Sequence, residues 1–226
     1  MTMLKRKKAY KFIIDIFLPN RCAFCQRVIR WDKLICNKCV DDMPLLGDEP
    51  VKVADEKAYS VFRYEGRVKK LINELKHTGE VDNFAEYCAE LLCSGLRQDK
   101  ADSEIDLVTA VPMHTAKKLK RGYDQAERLA LYVADILGCK TDFKLLERSS
   151  DRVEQHKLTK TERQEHAEMI YTSRENSGDI KGRTVLICDD IITTGATMRV
   201  CAECLLNMGA KKVICCSAAA TLLGDD

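Results

Sequence analysis

The chain has 226 residues, 46% of them hydrophobic, with 37 Lys and Arg set against 35 Asp and Glu. That length suits one ordinary domain with a small appendage, and the apolar share excludes wholesale disorder. The near balance of charge removes any case for nucleic acid based on global charge, so a basic surface has to be local.

The N-terminus begins with the basic cluster Lys5-Arg6-Lys7-Lys8. Residues 8–18 have the spacing of a short amphipathic helix, with Phe12, Ile13, Ile16 and Phe17 on one side and Pro19 as its stop. Such a helix either packs on its own domain or serves as a membrane-surface or partner helix. Lys11 and Asp15 interrupt the apolar run, which makes it a poor signal-peptide core. No run approaches the length of a membrane span, so no stable membrane insertion is expected and the cytoplasm is the expected compartment. The twelve cysteines then read as reduced thiols, some of them bound to metal.

Residues 22–39, "CAFCQRVIRWDKLICNKC", hold two C-x2-C pairs ten residues apart. Each pair can give two thiolates to one tetrahedral ion, so Cys22, Cys25, Cys36 and Cys39 are expected to hold a structural zinc, with an iron–sulfur cluster as the other choice. Four thiolates saturate the ion and leave no position for an activated water. Arg21, Arg27, Arg30, Lys33 and Lys38 with Phe24 and Trp31 interleave charge and aromatics, a surface suited to single-stranded nucleic acid. The alternative is a metal-stapled module that simply packs on its neighbour. Cys201 and Cys204 repeat the spacing on a predicted helix beside Leu205 and Met208, where a buried helix face is expected instead, and Cys215 and Cys216 read as strand core.

Residues 40–57 are polar, with Pro44, Gly47 and Pro50, and read as a linker. A strand over 58–64 and helices over 67–77 and 81–97 follow. From residue 105 the predicted order is strand (105–112), helix (125–138), strand (142–148), charged loop (149–166), strand (184–190), helix (near 196–208) and strand (211–220). This alternation predicts an α/β fold with a parallel sheet flanked by helices. The domain plan is a helix and four-cysteine zinc module in 1–45 and an α/β domain in 51–226, with a hood from 51–100 and a core from 105–226.

"VLICDDIITTGAT" (185–197) places two carboxylates at the end of an apolar strand and small hydroxylated residues after them. Ligands of open α/β sheets bind beyond the carboxyl ends of the strands. Thr193, Thr194, Gly195, Ala196 and Thr197 would form the turn and first residues of a helix, whose unpaired N–H groups and dipole favour an anion. Carboxylates repel phosphate but accept from sugar hydroxyls, and they tolerate a cation nearby. Asp189 and Asp190 beside such a cradle therefore describe a ribose 5-phosphate site. Neither G-x-x-x-x-G-K-[ST] nor G-x-G-x-x-G fits the string. It resembles the phosphoribosyl-pyrophosphate motif of type I phosphoribosyltransferases. The resemblance implies that the acids contact the ribose hydroxyls, that the loop wraps the 5-phosphate and that magnesium accompanies the ligand.

A second strand end carries "VPMHTAKKLKRGYDQAE" (111–127). Lys117, Lys118, Lys120 and Arg121 at the same sheet edge could neutralise a pyrophosphate; taken alone they are a solvated basic turn. The pattern V-P-x-H-x(3)-[KR]-L-[KR]-x-G-[FY]-x-Q resembles that of the ComF proteins of bacterial competence. The cysteine cluster, "ELKHTGE" (74–80), the segment from Arg148 to Arg163 and the acid-pair motif extend the resemblance over nearly the whole chain. Asp124 departs from the asparagine expected there, and lysines replace several arginines. The charged segment falls where type I enzymes carry a mobile loop, which makes Gln155, Lys157 and Arg163 candidates for ligand contacts. No catalytic acid or base is identified, and the histidines form no ligand pattern.

Two functions follow. One is transfer of phosphoribose from the magnesium-bound pyrophosphate to a nitrogen nucleophile, in DNA uptake or nucleotide metabolism, with the protein supplying positioning and charge. The other is a non-catalytic adaptor or sensor that binds single-stranded DNA and a DNA-uptake helicase through the zinc module.

Overall fold

The computed structural model describes residues 17, 19–47, 49–78, 82–148, 171–173 and 179–222. The helix expected over 8–18 falls almost wholly outside them, as do Gln155, Lys157 and Arg163. In chain order the elements are α1 (Asn37–Val40), β1 (Val51–Val53), β2 (Glu56–Arg63), α2 (Gly66–Thr78) and α3 (Asp82–Gln98). They continue with β3 (Leu107–Ala110), α4 (Thr115–Arg121), α5 (Gln125–Leu137), β4 (Lys140–Thr141) and β5 (Leu146–Arg148). Then come β6 (Tyr171–Ser173), β7 (Thr184–Ile192), α6 (Ala196–Asn207) and β8 (Lys212–Ala220).

Six strands form one sheet in the order β1-β2-β8-β7-β3-β4. All neighbours are parallel except β1 with β2. All four residues of β3 and the first five of β7 are buried, because both faces of a parallel sheet are covered and its strands must be apolar throughout. On one face α2, α3 and α5 pack Val68, Ile72, Leu75, Leu92, Leu96 and Val133 against the strands. On the other, α6 and the small antiparallel pair β5–β6 supply Met198, Leu205, Leu146 and Tyr171.

The chain leaves β3 through α5 to reach β4 on one flank, and leaves β7 through α6 to reach β8 on the other. β3 and β7 are neighbours, paired Ala110 to Cys188, so the strand order reverses between them. A crevice opens beyond the carboxyl ends of such a pair. Both sequence motifs sit there: the basic segment follows β3, and the acid pair lies on β7 just past its last pairing with β3.

Three local readings change. Residues 51–53, read as linker, form β1: Val51 and Val53 are buried, Lys52 is exposed, and Ala54 and Asp55 turn the hairpin at φ of 50° and 67°. The 51–100 stretch therefore divides, giving two strands to the main sheet and two helices to its face. The expected strand over 142–148 is interrupted, because the Asp142 carboxylate accepts from Lys144 N at 2.8 Å and turns the chain. The basic segment after β3 is a helix, α4, capped by His114 Nδ1 accepting from Ala116 N and closed by Gly122 in the left-handed region at φ 77°.

The cysteine module is fastened to this body. Its own core is small: Cys22, Ile35 and Cys39. Phe24 leaves the module and packs edge-on against Phe62 and Phe84, with ring centroids 5.5 and 5.6 Å away, and Tyr87 lies at 6.3 Å. Asn83 Nδ2 donates to Arg21 O and to Asn20 Oδ1, both at 2.8 Å.

Candidate functional site

The acid pair lies near the end of β7, which runs two residues further than expected, through Ile191 and Ile192. Val111 N donates to Cys188 O at 2.9 Å, which sets the start of the basic segment level with Asp189. The two carboxylates meet different neighbours. Asp189 accepts from Asp190 N at 2.7 Å, and burial together with the Asp190 charge pushes its carboxyl well above the ordinary range. Asp190 faces Lys76, whose Nζ lies 3.9 Å from Oδ2. Lys76 belongs to the last turn of α2, within the "ELKHTGE" motif. Sequence reasoning gave it no role, because nothing along the chain links that helix end to β7.

Thr193 and Thr194 are exposed at the turn, Gly195 is the N-cap of α6, and Ala196 and Thr197 open the helix. Ala196 N donates to Thr194 Oγ1 at 3.4 Å, and the N-cap residue, Gly195, has no side chain to cap the remaining amides. The first N–H groups of a helix lack intrahelical acceptors, so this end offers donors. Gly195 is required for a reason that the sequence left half-stated. Its φ of 75° is left-handed, and an added Cβ would meet Lys52 O and Val53 Cγ2 at 3.6 Å. Those are ordinary contacts with β1, so the left-handed φ is what selects glycine here.

Tyr171 is a further neighbour that sequence reasoning missed, because it lies on a three-residue strand without periodicity. It is buried, its ring faces the Arg148 guanidinium at 5.4 Å, and its hydroxyl is within reach of Thr197. Burial raises its pKa, so it stays a neutral phenol beside Asp189.

The basic helix is less uniform than its sequence. Lys118 is paired with Glu127 of α5, and Arg121 Nη1 points to Met113 Sδ at 3.9 Å. Lys117 and Lys120 are exposed. Of the four, only Lys118 is paired with an acid among the described residues. Tyr123 OH donates to Leu75 O and Gln125 Nε2 to Ile72 O, which ties this segment to α2 and so to Lys76.

The four cysteines converge. All four sulfurs lie within 4.8 Å of one another, with Cys25 and Cys36 at 3.7 Å. Tetrahedral zinc with Zn–S of about 2.3 Å puts its sulfurs about 3.8 Å apart, so the set fits the ion. Burial raises the Cys22 thiol, but the amides of Cys25, Cys36 and Phe24 outweigh it and bring it to about 7. A thiol so placed gives up its proton readily to a metal. Burial pushes Cys39 up to about 12, and a bound cation would have to draw that proton off. Cys201, Cys215 and Cys216 are buried in the body, as expected, whereas Cys204 is only half-buried.

Arg27, Arg30, Lys33 and Lys38 line one concavity of about 360 Å³ on the module, with Ile29, Ile35, Cys36 and Asn37. Arg30 is held by Asp32. Phe24, counted in the sequence as part of a nucleic-acid surface, is a correction: its ring is committed to the aromatic cluster, because it is the residue that anchors the module. Among the described residues no helix is long and apolar enough to cross a membrane.

Comparison with known proteins bears on the domain and on the cysteine module. Residues 119–222 match the phosphoribosyl transferase domain and residues 13–51 the double zinc ribbon domain. The chain is 24% identical to DNA utilization protein YhgH of Salmonella typhi over 200 residues, 85% of this chain and 86% of that one. It is 28% identical to competence protein ComFC of Bacillus subtilis over 150 residues, 66% of this chain and 58% of that one. Among solved structures it is similar to phosphoribosylpyrophosphate synthetase from Mycobacterium smegmatis, at 22% identity and a TM-score of 0.38, covering 58% of this chain and 33% of that one. The resemblance to the ComF proteins is thus met by homologues of that name, and the cysteine cluster is a structural zinc site.

Proposed function

We propose that this chain, a homologue of the YhgH and ComF proteins, binds phosphoribosyl pyrophosphate with magnesium at the β3/β7 crevice and acts in the handling of DNA taken up by the cell. One observation carries the reading: the acid pair lies on β7 just past its last pairing with β3, where the strand order reverses, and the turn after β7 opens a helix whose N-cap is a glycine. Asp189 and Asp190 would accept from the ribose hydroxyls. Thr193 to Thr197 would surround the 5-phosphate with backbone and hydroxyl donors. Lys117, Lys118, Lys120 and Arg121 would face the pyrophosphate, and Asp189 and Asp190 would hold magnesium, which would offset the charge of the ligand. The chemistry available is displacement at C1 by a nitrogen nucleophile, with positioning and charge neutralisation as the protein's share. Calorimetry of the purified protein with phosphoribosyl pyrophosphate should show binding that needs magnesium. Heat indistinguishable from dilution, with and without magnesium, would remove both the transferase and the sensor forms of this reading.

A second function is favoured by the four basic residues around one concavity of the zinc module. Single-stranded DNA would bind there through its phosphates. Lys33→Ala with Lys38→Ala should weaken that binding and flatten its dependence on salt, by about 0.7 in log–log slope for each phosphate no longer neutralised. An unchanged slope would place the DNA-binding surface elsewhere and leave the module as a packing element or a dock for a helicase.

A further inference from the structure

The four sulfurs of the cysteine module are not equivalent. Cys22 and Cys39 are buried, Cys25 is exposed and Cys36 is half-buried. Nitrogen donors go to the two buried sulfurs. Cys36 N donates to Cys22 Sγ at 3.4 Å, and Arg67 Nη2, reaching across from α2, donates to Cys39 Sγ at 3.5 Å. Among the described residues no N–H donates to the sulfur of Cys25 or of Cys36. With an ion bound all four are thiolates, so access and hydrogen bonding decide which of them stays reactive. An N–H donor withdraws charge from a thiolate, and a thiolate with less charge to give is a weaker nucleophile. Both criteria choose the same pair, Cys25 and Cys36, one from each C-x2-C, with sulfurs 3.7 Å apart.

The surroundings of Cys36 decide what reaches it. It lines the concavity of about 360 Å³ together with Arg27, Arg30, Lys33 and Lys38. Asp32 offsets Arg30, while Lys33 and Lys38 are exposed. An excess of positive charge around a cleft concentrates small anions and turns away small cations. An electrophile that is also an anion is therefore drawn to Cys36. A small disulfide carrying carboxylates is such a molecule.

We propose that Cys25 and Cys36 form a redox site of the zinc module, at which a small anionic disulfide oxidises the pair and releases the ion. The proposal does not depend on the β3/β7 crevice. Cys36 Sγ bonds to one sulfur of the small disulfide, whose S–S bond breaks, and the other half leaves as a thiolate with the electron pair. Cys25 Sγ then bonds to Cys36 Sγ and expels the second thiolate. Two module thiolates become one disulfide, the small disulfide becomes two thiolates, and no proton is gained or lost. A disulfide bond is about 2.05 Å long, and the exposed Cys25 side chain is the one with room to close the gap. Cys22 and Cys39 then remain as two ligands where a structural zinc takes four. The module thus responds to an oxidising milieu by losing the ion that holds its small core together.

The test exposes the zinc-loaded full chain to glutathione disulfide, which is anionic, and to cystamine, which is cationic. A chromogenic chelator reads the zinc released, and alkylation with peptide mass spectrometry reads which cysteines have paired. Zinc should leave as the Cys25–Cys36 disulfide forms, with Cys22 and Cys39 still open to alkylation. Lys33→Ala combined with Lys38→Ala should slow glutathione disulfide about tenfold at low salt and leave cystamine unslowed or faster. The difference should shrink at about 1 M salt, where charges are screened. Comparing the two proteins with each reagent cancels the reagents' own reactivity. If the double variant does not hold zinc, wild type alone gives the answer: salt should slow glutathione disulfide and not cystamine. A first disulfide that includes Cys22 or Cys39 would overturn the choice of pair. Equal slowing of both reagents, or of neither, would overturn the basic concavity as the port of entry. Zinc retained, with Cys25 and Cys36 still reduced when a free-thiol peptide in the same solution is fully oxidised, would overturn the redox site itself.

Discussion

Asp189→Ala combined with Asp190→Ala should abolish phosphoribosyl-pyrophosphate binding while leaving the fold as stable as before or more so. Each charge-assisted hydrogen bond removed costs about 1.5–3 kcal/mol. Losing two of them lowers affinity by about two to four orders of magnitude, before any loss of magnesium is added. The fold has little to lose. Asp189 sits at the strand end with its carboxyl raised by burial and by Asp190, so its ionised form opposes folding. A carboxyl whose folded pKa is raised favours folding while protonated and gives up that advantage as pH climbs through the raised value. The double variant lacks this loss, so its stability relative to wild type should rise with pH from about 4 upward. Gly195→Val should behave in the opposite way. Forcing a β-branched residue to φ 75° and pressing its side chain on Lys52 O and Val53 would move the turn off β1 and destabilise the protein as well as weaken the phosphate. Calorimetry and thermal melts on the three proteins separate the cases. A double variant that keeps affinity within about threefold of wild type would mean that the acids do not hold the sugar.

The parts of this site that were legible in the sequence share a cause. β7 and β3 are buried on both faces, so they read as apolar runs, and the chemistry starts where each run ends: Asp189 after Cys188, Pro112 and His114 after Val111. The cysteine spacing was legible because four thiolates around one ion constrain the chain locally. What remained hidden depends on distant pairing. Lys76 meets Asp190 only after α2 is laid across the sheet. Tyr171 reaches Thr197 from a strand of three residues. β1 has three residues and a turn of Ala54 and Asp55, without the glycine that usually announces such a hairpin. Phe24 stands among basic residues in the sequence, and composition alone assigned it to their surface. Its actual partners, Phe62, Phe84 and Tyr87, come from β2 and α3.

That misplacement of Phe24 alters what removal of the metal should do. From sequence, Cys36→Ser would release zinc and unfold residues 20–40 alone. The structure predicts that the damage spreads. The module buries only Cys22, Ile35 and Cys39 as its own core, too few to fold without an ion, and in small zinc modules metal binding supplies about 10–16 kcal/mol of folding free energy. Three thiols hold zinc less tightly than four, so the module should lose both metal and shape. When it does, it withdraws Phe24 from the cluster on β2 and α3, and with it Ala23 from the main core. It also releases the bonds from Asn83 to Arg21 and from Arg67 to Cys39 Sγ at 3.5 Å. Vacating the site of the half-buried Phe24 costs about 1–3 kcal/mol, less than a fully buried phenylalanine. In a body of this size that lowers the thermal midpoint of the α/β part by about 2–12 °C. Arg67 lies near the start of α2 and Lys76 in its last turn, so the loosened end is the one away from Asp190. Metal analysis and calorimetric melts decide between the two pictures. Zinc lost with an unchanged main transition would show that the module is a passenger. Phe24→Ala should then reproduce most of the fall in the midpoint with the zinc still bound, because it removes the anchor and leaves all four thiolates in place.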